Sequence, residues 1–121
     1  MDTENPVVKL CMAGSRAEIE GRIDDARLLY LQAWDVAVDD YEACIAAHYV
    51  ARRQDDPQET LRWNQVALAR ADAITDDRVE SFYPSLYVNL GHAHELVGNP
   101  VESAQYYKLA ADLGLTHQSD R

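Results

Sequence analysis

The sequence predicts an all-α domain of three antiparallel helix pairs stacked side by side, and three observations lead to this prediction. First, the composition favours helices, because only five Gly and four Pro occur in 121 residues. Second, one pattern of turn, small and aromatic residues recurs along the chain. Third, four Asp pairs each stand before a segment with helical apolar spacing, where a helix would begin.

The recurring pattern consists of a turn residue, a small residue, an aromatic residue and then Ala. Its copies are Gly21, Ala26, Tyr30 and Ala33; Asp55, Thr60, Asn64 and Ala67; and Gly98, Ser103, Tyr107 and Ala110. The first two copies start 34 residues apart and the third follows after 43. Repetition at this period indicates stacked helix pairs rather than a globular enzyme core.

The Asp pairs predict where helices begin. They are Asp24-Asp25, Asp39-Asp40, Asp55-Asp56 and Asp76-Asp77. A helix start leaves N–H groups unpaired and carries partial positive charge, so an Asp side chain there stabilises it by about 1 kcal/mol. Asn99 before Pro100 is expected to act in the same way. Because the pairs hold eight of the 21 acidic residues, much of the negative charge has a structural explanation.

These marks predict the elements in chain order. The helices are expected near 6–20, 24–37, 39–53, 57–74, 78–97 and 100–113. In the second, Ile23, Ala26, Leu29, Tyr30 and Ala33 recur at spacings that give one apolar face; in the sixth, Val101, Ala104, Tyr107 and Ala110 do so. Short connections make neighbouring helices antiparallel. Pro84 cannot lie inside a straight helix, so we expect the fifth helix to begin near it, after a lead-in at 76–83 containing Phe82.

Composition also limits the possible partners and compartment. A net charge of −10 repels phosphate backbones and anionic lipids, so neither nucleic acid nor a membrane is an expected partner. The chain begins with two acids and no apolar run, and no segment approaches the roughly 18 apolar residues of a membrane span, which favours a cytoplasmic protein. Cys11 and Cys44 lie in apolar helical segments and are expected to be buried, reduced thiols.

The repeated residues resemble the tetratricopeptide repeat, a 34-residue helix–turn–helix unit. The last unit matches best, with Tyr87, Leu90-Gly91, Gly98, Ser103, Tyr107 and Ala110, and the first unit matches through Leu10, Ala13-Gly14, Gly21, Ala26, Tyr30 and Ala33. The middle unit departs from the pattern. There His48 replaces a very small residue, Asp55 the turn Gly and Asn64 the aromatic, although Trp63 could supply the missing bulk.

This resemblance implies a single domain over 1–121 that forms a short right-handed superhelix. Its units would be about 7–37, 39–74 and 84–113, with the lead-in at 76–83 and a tail at 114–121. The first helix of each unit would line a concave groove that holds a peptide or a partner helix. The implied lining is Val8, Cys11, Ser15, Glu18 and Ile19; Glu42, Ile45, Tyr49, Arg52 and Arg53; and Ser85, Val88, Asn89, His92 and Glu95.

The candidate partner-binding residues within that lining are Glu18, Tyr49, Arg52, Arg53, Asn89, His92 and Glu95. Arg52 and Arg53 are a positive spot on an acidic chain and could meet a partner's carboxylate while Tyr49 adds apolar contact. The alternative is that both arginines end a helix and pair with Asp55 or Asp56. The family's chaperone-binding members use Lys and Asn in the first units. That function is not expected here, because the first unit has neither at its groove positions.

No motif indicates catalysis, and we expect no enzyme activity, no cofactor and no metal. His92 and His94 are two residues apart on a helix, so they point about 200° apart and cannot share a metal ion. Cys44 and His48 have the spacing of a thiolate–imidazolium pair, but the repeat register places both toward packing surfaces, and His48 is expected to pack against a neighbouring helix.

The C-terminal helix suggests a second function class. Such stacks commonly end with a polar capping helix, and the residues after Leu113 are too few to form one. Tyr106, Leu109 and Leu113 are therefore expected to be partly exposed and to support self-association, with a homodimer as the simplest form, unless Leu115 folds back over them. The sequence thus favours a protein-interaction adaptor, with a self-assembling subunit as the alternative.

Overall fold

The computed structural model describes residues 2–114, and within that range the chain is all-helical, with no strand. This confirms the predicted all-α class. The helices are α1 (Pro6–Ile19), α2 (Ile23–Val36), α3 (Asp40–Ala51), α4 (Pro57–Asp72), α5 (Tyr83–Leu96) and α6 (Pro100–Asp112), with a 3₁₀ helix at Asp77–Phe82 before α5. All six predicted helices are present with ends within a few residues of the prediction, and the fifth begins at Tyr83, next to Pro84, as expected.

The helices pack in adjacent pairs, in the order in which they follow along the chain. The main contacts join α1 to α2, α3 to α4, and α5 to α6. Successive pairs meet because α2 also packs on α3 and α4 packs on α5, while α1 touches α3. This arrangement places α3 next to α1 on one side and leaves its other side toward α5.

In the two outer pairs, a glycine on the first helix faces a tyrosine ring on the second. The ring of Tyr30 lies against Gly14, and the ring of Tyr107 lies against Gly91. A Cβ atom at residue 91 would be 2.6 Å from Cε1 of Tyr107, which no real side chain tolerates. These glycines are therefore required by the close approach of the paired helices.

The middle pair reverses these sizes. His48 stands where the outer pairs have glycine, and Asn64 stands where they have tyrosine. Asn64 is buried and its Nδ2 donates to the carbonyl oxygen of Thr60 at 3.0 Å. His48 and Asn64 both line a cavity between α3, α4 and α5. Trp63 contacts Trp34 of α2 edge to face, at 5.1 Å between ring centroids, and so fills the space between the first two pairs.

Three of the predicted Asp caps are confirmed. Asp39 accepts from the backbone N–H of Glu42 at 2.8 Å, Asp56 caps α4 and Asp76 caps the 3₁₀ helix. Each carboxylate satisfies an N–H group that the helix start leaves unpaired.

Two predicted caps are wrong. Asp24 and Asp25 lie inside the first turn of α2, whose start at Arg22 has no side-chain cap, so they act only through charge. Asn99 does not cap α6, because its Nδ2 lies 3.1 Å from Nδ1 of His94 on α5 instead. Asn5 caps α1 by accepting from Val7 N–H at 2.8 Å, which the sequence analysis missed.

The lead-in before α5 forms a 3₁₀ helix that packs against α3. Val79 is buried, and the ring of Phe82 stacks on Tyr41 of α3 with centroids 5.8 Å apart. The guanidinium of Arg78 covers the same tyrosine, 4.7 Å from the ring centroid. The lead-in is therefore held against α3, and α5 begins directly after it, with Pro84 in its first turn.

Both cysteines are buried and free, as predicted. Burial raises the pKa of Cys11 to about 12 and that of Cys44 to about 11, so both are neutral thiols at physiological pH. Within residues 2–114, no helix has the length and apolar character needed to cross a membrane.

Candidate functional site

Two neighbouring cavities lie between α3 and α5, and we call them together the α3–α5 cleft. The first is lined from α3 by residues 44–49, from the 3₁₀ helix by Ser81 and Phe82, and from α5 by Ser85 and Leu86. The second lies toward the C-terminal ends of α3 and α5 and is also lined by Thr60 and Asn64 of α4. His48 borders both cavities.

The first cavity has a volume of about 160 Å³ and is enclosed mainly by apolar groups. Ile45, Tyr49, Phe82 and Leu86 form its walls. None of the described residues that line it carries a formal charge at neutral pH. We refer to it as the apolar pocket.

The second cavity is larger, about 480 Å³; more of its lining residues carry polar side chains, although its surface is as largely apolar as that of the first. Three amide side chains (Gln54, Asn64 and Asn89) and two imidazoles (His48 and His92) reach it. Among its described lining residues only Arg52 carries a formal charge. On a chain of net charge −10, this polar pocket is a local exception to the negative surface.

His48 links the two helices across the cleft. Its Nδ1 lies 3.3 Å from Nδ2 of Asn89 on α5, so the amide donates to an unprotonated ring nitrogen. Burial lowers the pKa of His48, and the charge of Arg52 lowers it further. With Cys44 shifted in the opposite direction, the two residues do not form a thiolate–imidazolium pair, and the predicted packing role of His48 is confirmed.

Glu18 of α1 organises the arginines at the end of α3. Its carboxylate is 6% exposed and accepts from Nη2 of Arg53 at 2.5 Å and from Nη2 of Arg52 at 3.3 Å. The hydroxyl of Tyr30 also donates to it. Burial raises the pKa of Glu18, but the hydrogen bonds from Tyr30 and Arg53 and the charges of both arginines outweigh that effect and lower the pKa overall.

The alternative interpretation of Arg52 and Arg53 is right about their position at the end of α3 but wrong about their pairing with Asp55 or Asp56. Asp55 instead binds Arg27 of α2 at 2.6 Å, and Asp56 caps α4. The arginines turn instead toward Glu18 of α1. This pairing joins the first helix of one pair to the first helix of the next.

The remaining predicted groove residues are divided between the core and the surface. Val8 and Cys11 are buried at 7% and 2% exposure, so they do not line an open groove. Ile19 is 88% exposed beyond the cleft. Glu95 accepts from the hydroxyl of Tyr107 within the last pair. The structure therefore brings Tyr49, Arg52, Asn89 and His92 together at the cleft but not Glu95.

Sequence reasoning did not identify Asn64, Thr60 and Phe82 as residues of the site. In the sequence, Asn64 and Thr60 are only weak matches to the repeat. The signal for Asn64 is a polar residue at a position where the other two copies have a tyrosine. Phe82 was assigned to a connecting segment, and no sequence pattern indicated that this segment folds against α3.

The predicted self-association residues are spaced along one face of the last helix and are all partly exposed, but to different degrees. Tyr106 is half-buried between α5 side chains, 6.1 Å from the ring of Tyr87 and stacked 5.5 Å from that of His94. Leu109 and Leu113 are 42% and 54% exposed. Leu115, the residue that could cover them, lies outside the described residues.

No protein-family model, no curated protein and no solved structure matches this chain. Among residues 2–114, no group of three or more His, Cys, Asp or Glu side chains is arranged to hold a metal ion.

Proposed function

We propose that this chain is a tetratricopeptide-type, non-enzymatic interaction module of the cytoplasm, which binds a segment of a partner protein in the α3–α5 cleft. It would act as an adaptor or a regulatory scaffold. The resemblance of the repeated residues to that family supports this proposal, together with the packing of the helices in successive pairs. No cofactor takes part in the proposed function.

The observation that carries the proposal is the composition of the cleft. An apolar pocket adjoins a polar pocket whose described lining holds one charged side chain, Arg52. Amide side chains there can bond to the N–H and C=O groups of an extended chain, while Tyr49 offers aromatic surface. A polypeptide segment satisfies all three features at once.

The test is to crosslink the full chain to its partners in the native cell and to compare variants by mass spectrometry. Tyr49→Ala and Arg52→Gln should each lose the specific partner while the circular dichroism spectrum stays the same. Arg52→Gln is preferable to Arg52→Glu, because a new carboxylate would lie beside the buried Glu18. Arg62→Gln on α4 is the matched control. Like Arg52, Arg62 pairs with a carboxylate, and its guanidinium lies over an aromatic ring. Retention of every partner by both cleft variants would refute the proposal.

A second candidate function is self-assembly through the C-terminal pair, and the exposure of Leu109 and Leu113 favours it. Light scattering at micromolar concentration should then give a dimer mass, and Leu109→Glu with Leu113→Glu should return a monomer. A monomer of 13.6 kDa for the unmodified chain would refute this candidate and leave the adaptor proposal intact.

A further inference from the structure

The 3₁₀ helix is what closes the apolar pocket at one end. It lies in the stretch where the spacing between repeat copies lengthens from 34 to 43 residues. Val79 is 2% exposed and anchors the segment, while Phe82 packs on Tyr41 and reaches the cavity. The added residues therefore form a wall between α3 and α5 rather than a loose connection.

The pocket that results has the size of one side chain. Its volume is about 160 Å³. An apolar cavity of about 150 Å³ is known to accept a benzene molecule, so a Leu or Phe side chain is a suitable guest. A charged side chain would lose its hydration in this pocket at a large cost in free energy, because the described walls offer no opposite charge.

Arg52 is the cation best able to meet a second group on the same guest. Arg53 holds Glu18 with the shorter contact, 2.5 Å against 3.3 Å, and Tyr30 donates to that carboxylate as well. Glu18 therefore keeps two donors if Arg52 turns away. The side chain of Arg52 is 47% exposed and borders the polar pocket.

The spacing between the two features fits an extended chain. The apolar pocket is centred near residue 47 of α3, so the backbone of Arg52 lies about 7 to 8 Å farther along the helix axis, at roughly 1.5 Å per residue, while its guanidinium lies 5.5 Å from the ring centroid of Tyr49, a wall of that pocket. An extended peptide covers about 6.6 Å in two residues. An apolar residue and an acidic residue two positions apart would thus reach both features.

We propose that the α3–α5 cleft recognises an extended segment carrying a Leu-sized or Phe-sized side chain two residues from an Asp or Glu. The apolar side chain enters the pocket closed by the 3₁₀ helix, and the carboxylate pairs with Arg52. This proposal rests on the proposed function, since it specifies which segment the same cleft binds.

The test uses phage-displayed random dodecapeptides selected on the full chain, followed by anisotropy measurements on fluorescein-labelled synthetic copies. The selected peptides should share an apolar and an acidic residue two positions apart. Ser85→Phe fills the pocket from an exposed position on α5 and should weaken binding at least tenfold. Arg52→Gln should weaken binding of the acidic peptide about fivefold but should not change binding of its Asp→Asn or Glu→Gln counterpart.

Gln105→Phe, at an exposed position of α6, is the matched control and should bind like the unmodified chain. If Ser85→Phe does not fold, Ser81→Phe fills the same pocket from the 3₁₀ helix. Selected peptides that bind Ser85→Phe normally but bind Arg52→Gln more weakly would overturn the pocket assignment and preserve the proposed function. Peptides that bind all of these variants equally, or no selected peptide at all, would count against both.

Discussion

At the residue scale, the two outer helix pairs depend on the same three-residue arrangement. A glycine admits a tyrosine ring, and the hydroxyl of that tyrosine donates to a glutamate one turn after the glycine. Gly14, Tyr30 and Glu18 form it in the first pair, and Gly91, Tyr107 and Glu95 form it in the last. Each member restricts the next, so substitutions here affect packing and hydrogen bonding together.

Gly91→Leu should destabilise the protein by about 3 kcal/mol, because the added side chain collides with the ring of Tyr107 in a packed interface. For a chain of this size the melting temperature should fall by roughly 10 °C. Thermal unfolding followed by circular dichroism measures the change. Gly98→Ala is an informative comparison. That glycine has φ +82° but no atom within 4 Å of an added Cβ, so its cost comes from the backbone alone. An unchanged melting temperature in Gly91→Leu would contradict the packing described.

Glu18 should make the stability depend on pH in the acid range. Its pKa is lowered by folding, so its carboxylate stabilises the native state fully above the ordinary value of 4.5, and this contribution is lost as the pH falls through the folded pKa. Urea unfolding between pH 7 and pH 3 should therefore show a shallower acid loss in Glu18→Gln than in the unmodified chain. At pH 7 the substitution should cost about 1 to 2 kcal/mol. Equal slopes for the two proteins would contradict this role.

At the element scale, the middle pair shows that one backbone arrangement accepts opposite side-chain sizes. The pairing of α3 with α4 is kept although His48 and Asn64 replace the glycine and tyrosine of the outer pairs. The pairing of these helices therefore does not depend on a glycine–tyrosine contact at this position.

A double-mutant cycle tests this exchange. His48→Gly should destabilise the protein by about 1 to 3 kcal/mol by leaving a hole and a flexible residue in α3, and Asn64→Tyr should do so by removing the bond from Asn64 to the carbonyl oxygen of Thr60. The double substitution should recover part of the loss, because it recreates the glycine–tyrosine contact of the outer pairs. The free energy of unfolding from urea titration gives the coupling. Strictly additive costs would show that the two side chains do not share one space.

The sequence was sufficient to predict the elements but only part of the site. Helix number, order and approximate bounds follow from periodic apolar residues and short connections, which are local signals. The repeat register places Tyr49 and Arg52 on one face of α3, and Asn89 and His92 on the corresponding face of α5. These four residues could therefore be predicted to lie at the cleft. The place of Phe82 and the partner of Arg53 were not predicted, because both depend on which distant surface offers a cavity or a buried carboxylate.

At the scale of the whole molecule, the connections between pairs are unequal. The first and second pairs are joined by the Glu18–arginine cluster and by Arg27, which binds both Asp55 and the carbonyl oxygen of Arg53. The second and third pairs meet through apolar contacts of Leu61 with Leu90 and Ala93, through the bond from Asn89 to His48, and through the hydroxyl of Tyr83, which donates to Asp72 at 2.7 Å. Since each pair contacts only its neighbours, local stability follows these interfaces.

We expect α6 to exchange its amide hydrogens before α2 does. Hydrogen exchange followed by mass spectrometry measures this order for the whole chain. The physical reason is that α6 packs mainly on α5 alone, whereas α2 is held by both α1 and α3. Uniform exchange rates along the chain would show instead that the three pairs open as one unit.

The bond between His48 and Asn89 crosses the cleft, so a guest bound there should affect the stability of helices that it does not contact. A molecule seated in the cleft would touch α3 and α5 together, and so would add contacts between the second pair and the third pair, the distal block. Its arrival should then slow the opening of the distal block, including α6, which it never contacts. Binding at the centre of the chain would therefore be detected as slower opening of its C-terminal helix.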